Sequence, residues 1–444
     1  MTKKTFLISL VFCFSLSAFS QEKDWNDPQT GNPIVPGYFA DPCIVDFDGK
    51  YHIYSTTVSK FMEPMVWTSE DLQTWSVHSL GITGDHLFWA PSVLKGDDGK
   101  IYLYYSSGYD YKCHLYIGET PTGPWEDKGM VEEGFDLEIF RDPVSGKVYG
   151  SSSNPSSRPR LVEFQSDVKK EGYLTKVVKE ANLEGPFFDY TEGSYIVYRD
   201  GWYYFMYSGG KCHAENYKIN YARSKNIWGP YEDAPNNPIL EKKSDKNIFG
   251  PGHHSVFNLN GQHFIAYHRQ DVYHYPTCSE RQLCIDEMNF DENGWIESVD
   301  PTHEGIDFSS YLETKKPILK NVAYRKNVSA GDVKDSHNPE LAVDENYATY
   351  WIGSGHLSVD LEKEYRIEKI IPRFIYYDYH LLYKIMYSPD NNNWQVYYDQ
   401  TGYAQKAATK IIHKPVTARY VKIEFLRGEG PVGLSELEIL VKDN

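Results

Sequence analysis

The sequence predicts an all-β protein with two domains, a five-bladed β-propeller followed by a second β-rich domain. The first observation is a repeated unit, a turn glycine followed by a strand rich in Tyr and Phe. The unit begins at Gly49, Gly99, Gly146, Gly201 and Gly261. The gaps of 50, 47, 55 and 60 residues are typical of propeller blades with four short strands each. The second observation is that the repeat stops after Asp307, and a new set of alternating strands follows.

The alternative to a propeller is a large β-sandwich in which the glycine spacing is accidental. Three further segments favour the propeller because they resemble outer-strand turns of successive blades. These segments read SEDLQTW at 69–75, TGPWED at 122–127 and WGPYED at 228–233.

The N-terminus predicts export. Lys3 and Lys4 precede an apolar run, and a small-residue cleavage site lies before Gln21, as in a signal peptide. No later stretch is apolar for long enough to span a bilayer. We therefore expect a periplasmic or extracellular protein without membrane insertion. The expected boundaries are a signal peptide at 1–20, the propeller at 21–312, a linker at 313–320 and the second domain at 321–444.

Composition narrows the class of ligand. The chain has 444 residues and a formal net charge of -17, which disfavours binding to nucleic acid and to anionic membranes. It holds 37 Tyr and 10 Trp, whose ring faces suit neutral, hydroxyl-rich ligands. We expect a monomer that binds a polysaccharide or an oligosaccharide.

Five cysteines follow the signal segment, so at least one is a free thiol or forms an intermolecular bond. Cys278 and Cys284 flank a short loop and are the pair that we expect to form a disulfide. The two-residue Cys spacing of zinc sites is absent, which disfavours zinc.

One polar or aromatic residue stands at nearly the same distance before each turn glycine. These residues are Asp41, Trp89, Asp136, Glu192 and His253, at 8, 10, 10, 9 and 8 positions. In a propeller this phase belongs to the innermost strand, so three carboxylates would share one axial pocket. Each carboxylate alone has a structural explanation: Asp41 as a turn or cap, Asp136 as a solvated strand end, and Glu192 as a turn residue. Together they fit glycoside hydrolysis, which needs a carboxylic acid and a carboxylate.

Residues 30–300 resemble glycoside hydrolase family 43. The resemblance is carried by FADP at 39–42, WAPSV at 89–93, FDLEIF at 135–140, TEGSYIVYRDGWYYFMYS at 191–208, GPGHHS at 250–255 and YHR at 267–269. It implies a five-bladed propeller with inverting chemistry and no cofactor for catalysis.

The resemblance also implies roles for single residues. Asp41 is the expected general base, Asp136 the modulator of the acid, and Glu192 the general acid. The expected substrate-binding residues are Trp89, Arg269, Phe39 and His253. His253 would lie at the axis near a bound calcium or water cluster; a hydrogen-bonded core histidine is the alternative.

The acid position departs from the family pattern. Glu192 stands in Glu-Gly-Ser, whereas Glu-Gly-Pro is usual and occurs at Glu184. Spacing favours Glu192, because Glu184 lies 17 residues before Gly201. Glu184 remains the alternative acid.

The second domain is similar to the discoidin, or coagulation factor type C, module. The similar segments are NPELAVDENYATYWI at 338–352, YSPDNNNW at 387–394 and GLSELEIL at 433–440. The resemblance implies a jelly-roll β-sandwich that binds carbohydrate and holds a structural calcium through Asp344, Asn346, Thr349 and Glu436. Alternatively, Asp344 and Asn346 only shape a turn. The candidate sugar-binding aromatics are Tyr376, Tyr377, Tyr379 and His380, with strand-edge packing as the alternative.

The sequence therefore predicts an inverting glycoside hydrolase that acts on plant-type polysaccharides, as an exo-acting α-L-arabinofuranosidase or β-xylosidase. We expect the carboxyl groups of Asp41 and Glu192 to lie about 6.5–9.5 Å apart, which leaves room for water. The alternatives are an endo-acting arabinanase or xylanase and a non-catalytic carbohydrate-binding propeller.

Overall fold

A computed structural model describes most of the chain, and it is nearly all β. The described residues are 31–56, 63–83, 87–108, 112–153, 158–270, 278, 280–312, 319–375, 380–406, 412–427 and 432–442. The predicted signal peptide and the candidate sugar-binding residues Tyr376, Tyr377 and Tyr379 lie outside them. Among the described residues, no helix has the length and apolar character needed to cross a membrane.

The first domain is a five-bladed propeller, as the repeat predicts. Each blade is an antiparallel sheet in sequence order. Blade 1 holds β1 Ala40–Phe47, β2 Lys50–Thr56, β3 Met65–Ser69 and β4 Ser76–Ser79. Blade 2 holds β5 Phe88–Lys95, β6 Ile101–Ser107, β7 Lys112–Gly118 and β8 Trp125–Glu133. Blade 3 holds β9 Phe135–Arg141, β10 Val148–Ser153, β11 Pro159–Phe164 and β12 Val177–Asn182.

Blade 4 holds β13 Tyr190–Arg199, β14 Trp202–Gly209, β15 Lys218–Ser224 and β16 Glu232–Asp233. Blade 5 holds β17 Phe249–Leu259, β18 Gln262–Gln270 and β19 Arg281–Met288. Within the described residues blade 5 therefore has three strands, where the repeat predicts four. The segment before β1 satisfies part of its outer edge, because Ile34 N–H donates to Leu283 O at 2.8 Å and Ile285 N–H donates to Asn32 Oδ1 at 2.8 Å. These bonds join the beginning of the domain to its last blade.

The five repeat glycines turn the chain from the first strand of each blade to the second. Their φ angles lie between +71° and +91°, a region that glycine enters without steric cost. The segments 69–75, 122–127 and 228–233 lie between the third and fourth strands of blades 1, 2 and 4, where the sequence predicts them.

The hydrophobic core of the propeller lies between blades rather than within one centre. Five separate clusters of buried side chains join blades 1 and 2, 2 and 3, 3 and 4, 4 and 5, and 5 and 1. Each cluster needs both neighbours to exclude water, so the closed ring stabilises every blade. The inner strands consequently converge on the axis with their relative positions set by packing.

The second domain is a β-sandwich formed by one connected sheet of eight strands, which confirms the predicted fold class. The strands are β20 Leu319–Asn321, β21 Asn327–Ala330, β22 Trp351–Gly353, β23 His356–Phe374, β24 His380–Ser388, β25 Gln395–Lys406, β26 Ile412–Arg427 and β27 Val432–Lys442. The long strand β23 pairs with β21, β26 and β27, so the sheet folds around a single buried core.

The two domains meet beside the strand that carries Asp41. The Tyr38 and Tyr350 hydroxyl groups lie 2.6 Å apart, and their rings meet edge to face at 6.3 Å. Tyr38 also packs against Tyr350, Ile352 and Ile375 of the sandwich.

The disulfide differs from the predicted pair. Cys212 bonds Cys278, while Cys284 is a free, fully buried thiol in β19. Cys284 lies within β19, and its side chain packs in the core between blades 4 and 5. Its thiol is therefore not available to Cys278, which precedes the strand.

Candidate active site

Each inner strand has a residue with positive φ in its first half. These residues are Asp41, Ala90, Asp136, Gly193 and His253, with φ between +37° and +60°; β17 has a second one, Gly250. Each inner strand also shows a register shift against its neighbour at this point. A β-bulge redirects side chains and is common at active sites, and the left-handed backbone of four non-glycine residues is a local strain that is typical of functional sites. The bulges therefore place functional side chains in the axial opening.

Hydrogen bonds between blades hold these bulges in place. The residue seven positions after each turn glycine accepts a bond from the bulge of the next blade in four of the five junctions. The pairs are Thr56 Oγ1 with Ala90 N at 2.8 Å, Ser106 Oγ with Asp136 N at 2.8 Å, Ser208 Oγ with His253 N at 2.8 Å, and His268 Nδ1 with Asp41 N at 3.3 Å. The backbone position of each of these four bulges is therefore held by a side chain of the neighbouring blade.

The three predicted carboxylates share one cavity of about 200 Å³ at the axis. The described residues that line it are Asp41, Thr56, Trp89, Phe135, Asp136, Glu192, Cys212, His253, Cys278 and Arg281. Trp89 packs edge to face against Phe135, at a centroid distance of 6.1 Å, and the two rings form an aromatic wall. The structure thus brings Asp41, Asp136, Glu192, Trp89 and His253 together, as the sequence predicts.

Asp41 is surrounded by polar and cationic groups. Its Oδ1 lies 3.0 Å from Arg281, 3.1 Å from His268 Nδ1 and 3.3 Å from His253 Nδ1, while Thr56 donates to Oδ2. Burial alone would raise the pKa of Asp41, but Arg281, His253 and His268 hold it well below the usual value. Asp41 is therefore an ionised carboxylate, the form that a general base requires.

The pKa of Asp136 is shifted in the opposite direction from that of Asp41. Burial, and then the charges of Glu192 and Asp41, raise its pKa well above the usual value. A third carboxylate close to two others disfavours a further negative charge, so Asp136 holds its proton more readily than an isolated aspartic acid. Tyr217 donates a hydrogen bond to Glu192 Oε1 at 2.8 Å and orients this carboxyl group.

Two predicted substrate-binding residues lie elsewhere. Arg269 is buried and donates to the backbone oxygens of Thr302 and Asn32 at 3.2 and 3.1 Å, so it supports the propeller instead of lining the cavity. Phe39 packs on Trp67 at 4.3 Å in the core between blades 5 and 1. The bulge after Ala40 turns Asp41 toward the axis and leaves Phe39 in the blade.

Arg281 and Phe135 line the cavity, whereas the predicted residues Arg269 and Phe39 do not. Arg281 pairs with Asp41, and its Nε has no hydrogen-bond partner among the described residues. The sequence contains no local signal for Arg281, because it begins a third strand rather than an inner strand. Tyr217 was likewise missed; its position just before β15 carries no repeat signal.

Glu184, the alternative acid, is exposed before β13 and does not line the cavity. Its backbone oxygen accepts a hydrogen bond from Tyr231 N–H at 3.0 Å, in the outer part of blade 4. The position of Glu192 in the cavity therefore favours Glu192.

His253 lies between two of the carboxylates, with Nδ1 3.3 Å from Asp41 and 3.5 Å from Asp136. Only Nε2 is left for a further ligand, and calcium near His253 stays a prediction. The neighbouring His254 is buried with both ring nitrogens unpartnered among the described residues. Near the cavity, His213 Nδ1 lies 3.7 Å from Cys278 Sγ; the disulfide withholds both sulfurs from metal binding as thiolates.

The predicted calcium loop of the sandwich is compact and buried. Asp344 accepts hydrogen bonds from Asn346 N–H at 3.0 Å and Thr349 Oγ1 at 2.6 Å, which fits the turn interpretation. A turn does not account for Glu436, which is fully buried and has no partner for either carboxyl oxygen among the described residues. Burial, and then the charge of Asp344, raise the pKa of Glu436 well above the usual value. Buried carboxylate oxygens that lack a hydrogen-bond partner fit a hard cation such as Ca²⁺.

Comparison with known proteins agrees with this geometry. The family model for glycosyl hydrolases family 43 matches residues 30–296, and that for the F5/8 type C domain matches residues 327–437. A β-D-galactofuranosidase of Aspergillus niger is 31% identical over 310 residues, covering 64% of this chain and 88% of the relative. A xylosidase/arabinosidase of Humicola insolens is 30% identical over 297 residues, covering 61% of this chain and 55% of the relative.

The two-domain architecture also occurs in a solved structure. A protein described as a glycoside hydrolase superposes with a TM-score of 0.77 at 22% identity, covering 94% of this chain and 100% of the other. At this identity the likeness establishes the fold.

Proposed function

Because the chain belongs to glycosyl hydrolase family 43 and is a glycoside hydrolase, we propose that it removes terminal sugars from plant-type polysaccharides with inversion of the anomeric centre. The observation that carries the proposal is the meeting in one cavity of Asp41, whose pKa is held well below the usual value, with the carboxyl groups of Glu192 and Asp136. The chemistry uses side chains and water alone.

In the proposed reaction, Asp41 takes a proton from a water molecule, and the water oxygen bonds to the anomeric carbon. The bond from that carbon to the leaving oxygen breaks, and Glu192 gives its proton to this oxygen. The products are the free sugar and the alcohol of the leaving group; Asp41 is left protonated and Glu192 ionised, and proton exchange with solvent restores both. Asp136 is the proposed modulator of the acid, and Arg281 keeps Asp41 ionised.

The size of the cavity supports exo action. A volume of about 200 Å³ is below the roughly 300–1,000 Å³ of sites for drug-sized ligands, and it suits one monosaccharide. The endo-acting alternative requires a groove that continues on both sides of the cavity. End-product analysis separates the two: exo action releases only monosaccharide from arabinan or xylan, whereas endo action releases oligosaccharides first.

Our favoured activities are α-L-arabinofuranosidase and β-xylosidase, supported by the xylosidase/arabinosidase relative. The β-D-galactofuranosidase relative supports a second candidate, because β-D-galactofuranose and α-L-arabinofuranose share their ring configuration and differ in the exocyclic group. The non-catalytic alternative does not explain why base, acid and modulator positions all hold carboxylates.

The test is turnover of a panel of aryl α-L-arabinofuranosides, β-xylosides and β-D-galactofuranosides, with the anomer of the first product followed by NMR. We expect Asp41→Asn to lower kcat roughly 10²–10⁴-fold while sugar binding persists. Asp48→Asn is the control, since Asp48 is an exposed residue of the same hairpin. Binding without turnover by the unaltered protein would favour the lectin alternative; retention of configuration would contradict inversion.

We further propose that the sandwich binds carbohydrate, that its loop around Asp344 and Glu436 holds Ca²⁺, and that the protein is an exported monomer. The sequence of the leader supports export, and the unpartnered oxygens of Glu436 support calcium. Pull-down on insoluble polysaccharide, with and without residues 319–444, tests the first of these proposals.

A further inference from the structure

The disulfide lies in the wall of the catalytic cavity. Cys212 follows β14 of blade 4, and Cys278 precedes β19 of blade 5. Both cysteines line the cavity that contains Asp41 and Glu192. The bond therefore joins loops of neighbouring blades at the place where the sugar is expected to bind.

The disulfide is also close to the cation that holds Asp41. Arg281 lies three residues after Cys278, and its guanidinium is 3.0 Å from Asp41 Oδ1. Gln270 is the cross-strand partner of Arg281, and its side chain donates a hydrogen bond to the backbone oxygen of Cys212. The covalent bond and this hydrogen bond thus connect the Cys212 loop to both strands at the point where Arg281 begins β19.

The packing of the blades does not depend on this bond. Blades 4 and 5 share a buried hydrophobic cluster that contains neither Cys212 nor Cys278. Strands β18 and β19 pair along their full length, from His263 with Met288 to Gln270 with Arg281. The three other cysteines in the described part of the chain are buried free thiols, so they are poor partners for disulfide exchange. The disulfide is therefore placed to act on the cavity more than on the fold.

We infer that the Cys212–Cys278 disulfide is a positioning element of the active site, which holds Arg281 against Asp41 and forms one wall of the sugar pocket. The inference rests on the proposed hydrolase function. A dithiol reductant breaks the S–S bond with two electrons and two protons, giving two cysteine thiols and the cyclic disulfide of the reductant. After reduction, the segment before Arg281 loses its link to blade 4, and activity falls without loss of the fold.

The experiment compares the full-length oxidised enzyme with the same enzyme reduced by dithiothreitol, using an aryl glycoside that the oxidised enzyme cleaves. We expect reduction to lower kcat/KM by roughly 10- to 100-fold, since small displacements of positioning groups have effects of this size. We also expect KM to rise and the acid limb of the kcat/KM profile to move to higher pH, because Asp41 loses part of the cation that keeps it ionised. Alkylation and mass spectrometry establish that the disulfide is open.

The double variant Cys212→Ser/Cys278→Ser is the matched control. It should show the low kcat/KM of the reduced enzyme and no further response to dithiothreitol. Circular dichroism should be unchanged in the reduced enzyme. An unchanged KM and pH profile after reduction would overturn the inference, and so would unfolding on reduction, which would assign the bond to the fold. Absence of turnover by the oxidised enzyme on every glycoside would instead overturn the proposed function.

Discussion

Tyr217 donates a hydrogen bond from its phenolic oxygen to Oε1 of Glu192 at 2.8 Å. Tyr217 is itself held in place, because it is buried and stacks on the ring of His268 with an interplanar angle of 9°. The bond occupies Oε1 of the proposed acid, which leaves Oε2 for proton transfer in the proposed reaction.

The first prediction concerns this hydrogen bond. Tyr217→Phe should lower kcat roughly 10-fold, the value of one hydrogen bond to a charged or catalytic carboxyl group, with a small change in KM. Steady-state kinetics on a natural disaccharide measures it. Tyr311→Phe is the control, since Tyr311 makes a similar bond to Glu287 on the surface. Equal effects of the two variants would contradict a role for Tyr217 in catalysis.

A second prediction separates the two candidate acids. Glu192→Gln cannot donate the proton, so kcat should fall roughly 10²–10⁴-fold on a natural linkage. The loss should be much smaller on a nitrophenyl glycoside, whose leaving group needs no proton. Glu184→Gln should retain full activity on both substrates, because Glu184 is exposed and outside the cavity. The reverse pattern would assign the acid to Glu184.

A third prediction follows from the charge of Arg281. Arg281 lowers the pKa of Asp41, and the base must be ionised to act. Arg281→Gln should therefore move the acid limb of kcat/KM to higher pH and lower its plateau roughly 10-fold. Because the folded-state pKa of Asp41 is depressed, its contribution to stability is present above the unfolded value and is lost as pH falls through the folded value. In the variant the folded-state pKa is higher, so this contribution is smaller and its loss is complete at a higher pH.

The pH–rate profile from about pH 3 to 8 checks this prediction. Arg141→Gln, which removes a surface ion pair with Asp97, is the control and should leave the profile unchanged. An acid limb that does not move in Arg281→Gln would mean that another group keeps Asp41 ionised.

A fourth prediction concerns the cation loop of the sandwich. Saturating Ca²⁺ should raise the Tm of the chelator-treated protein by several degrees, since a ligand at 100 times its Kd stabilises by about 2.7 kcal/mol. Glu436→Gln should abolish the calcium-dependent part of this rise. Glu364→Gln, an exposed residue of β23, should retain it. Differential scanning calorimetry measures both; a rise that persists in Glu436→Gln would place the ion elsewhere.

The propeller and the shared position of Asp41, Asp136 and Glu192 could be predicted because they depend on a local repeat. Turn glycines and alternating strands recur in every blade. Because the blades form a closed ring, residues at the same position of the repeat come close together at the axis. Phe39 was assigned wrongly because a β-bulge separates it from Asp41, and alternation does not reveal a bulge.

Arg281 and the disulfide depend on contacts between distant segments. Cys212 and Cys278 are 66 residues apart in different blades, so short sequence separation favoured the wrong pair. Arg269 lies directly in the YHR motif, whereas Arg281 reaches Asp41 through the pairing of β18 with β19. No pattern in one strand encodes such a relationship.

The five blades share a β-bulge with positive φ at equivalent positions of their inner strands. The backbone geometry at the bulge is similar in every blade, whereas the residue there differs. These residues are Asp41, Ala90, Asp136, Gly193 and His253. Ala90 is buried and does not line the cavity, whereas its neighbour Trp89 does. Gly193 is closed to larger side chains, since an added Cβ would lie 3.0 Å from both His253 and Ser208. The five positions are therefore alike in backbone geometry and differ in the side chains that they accept.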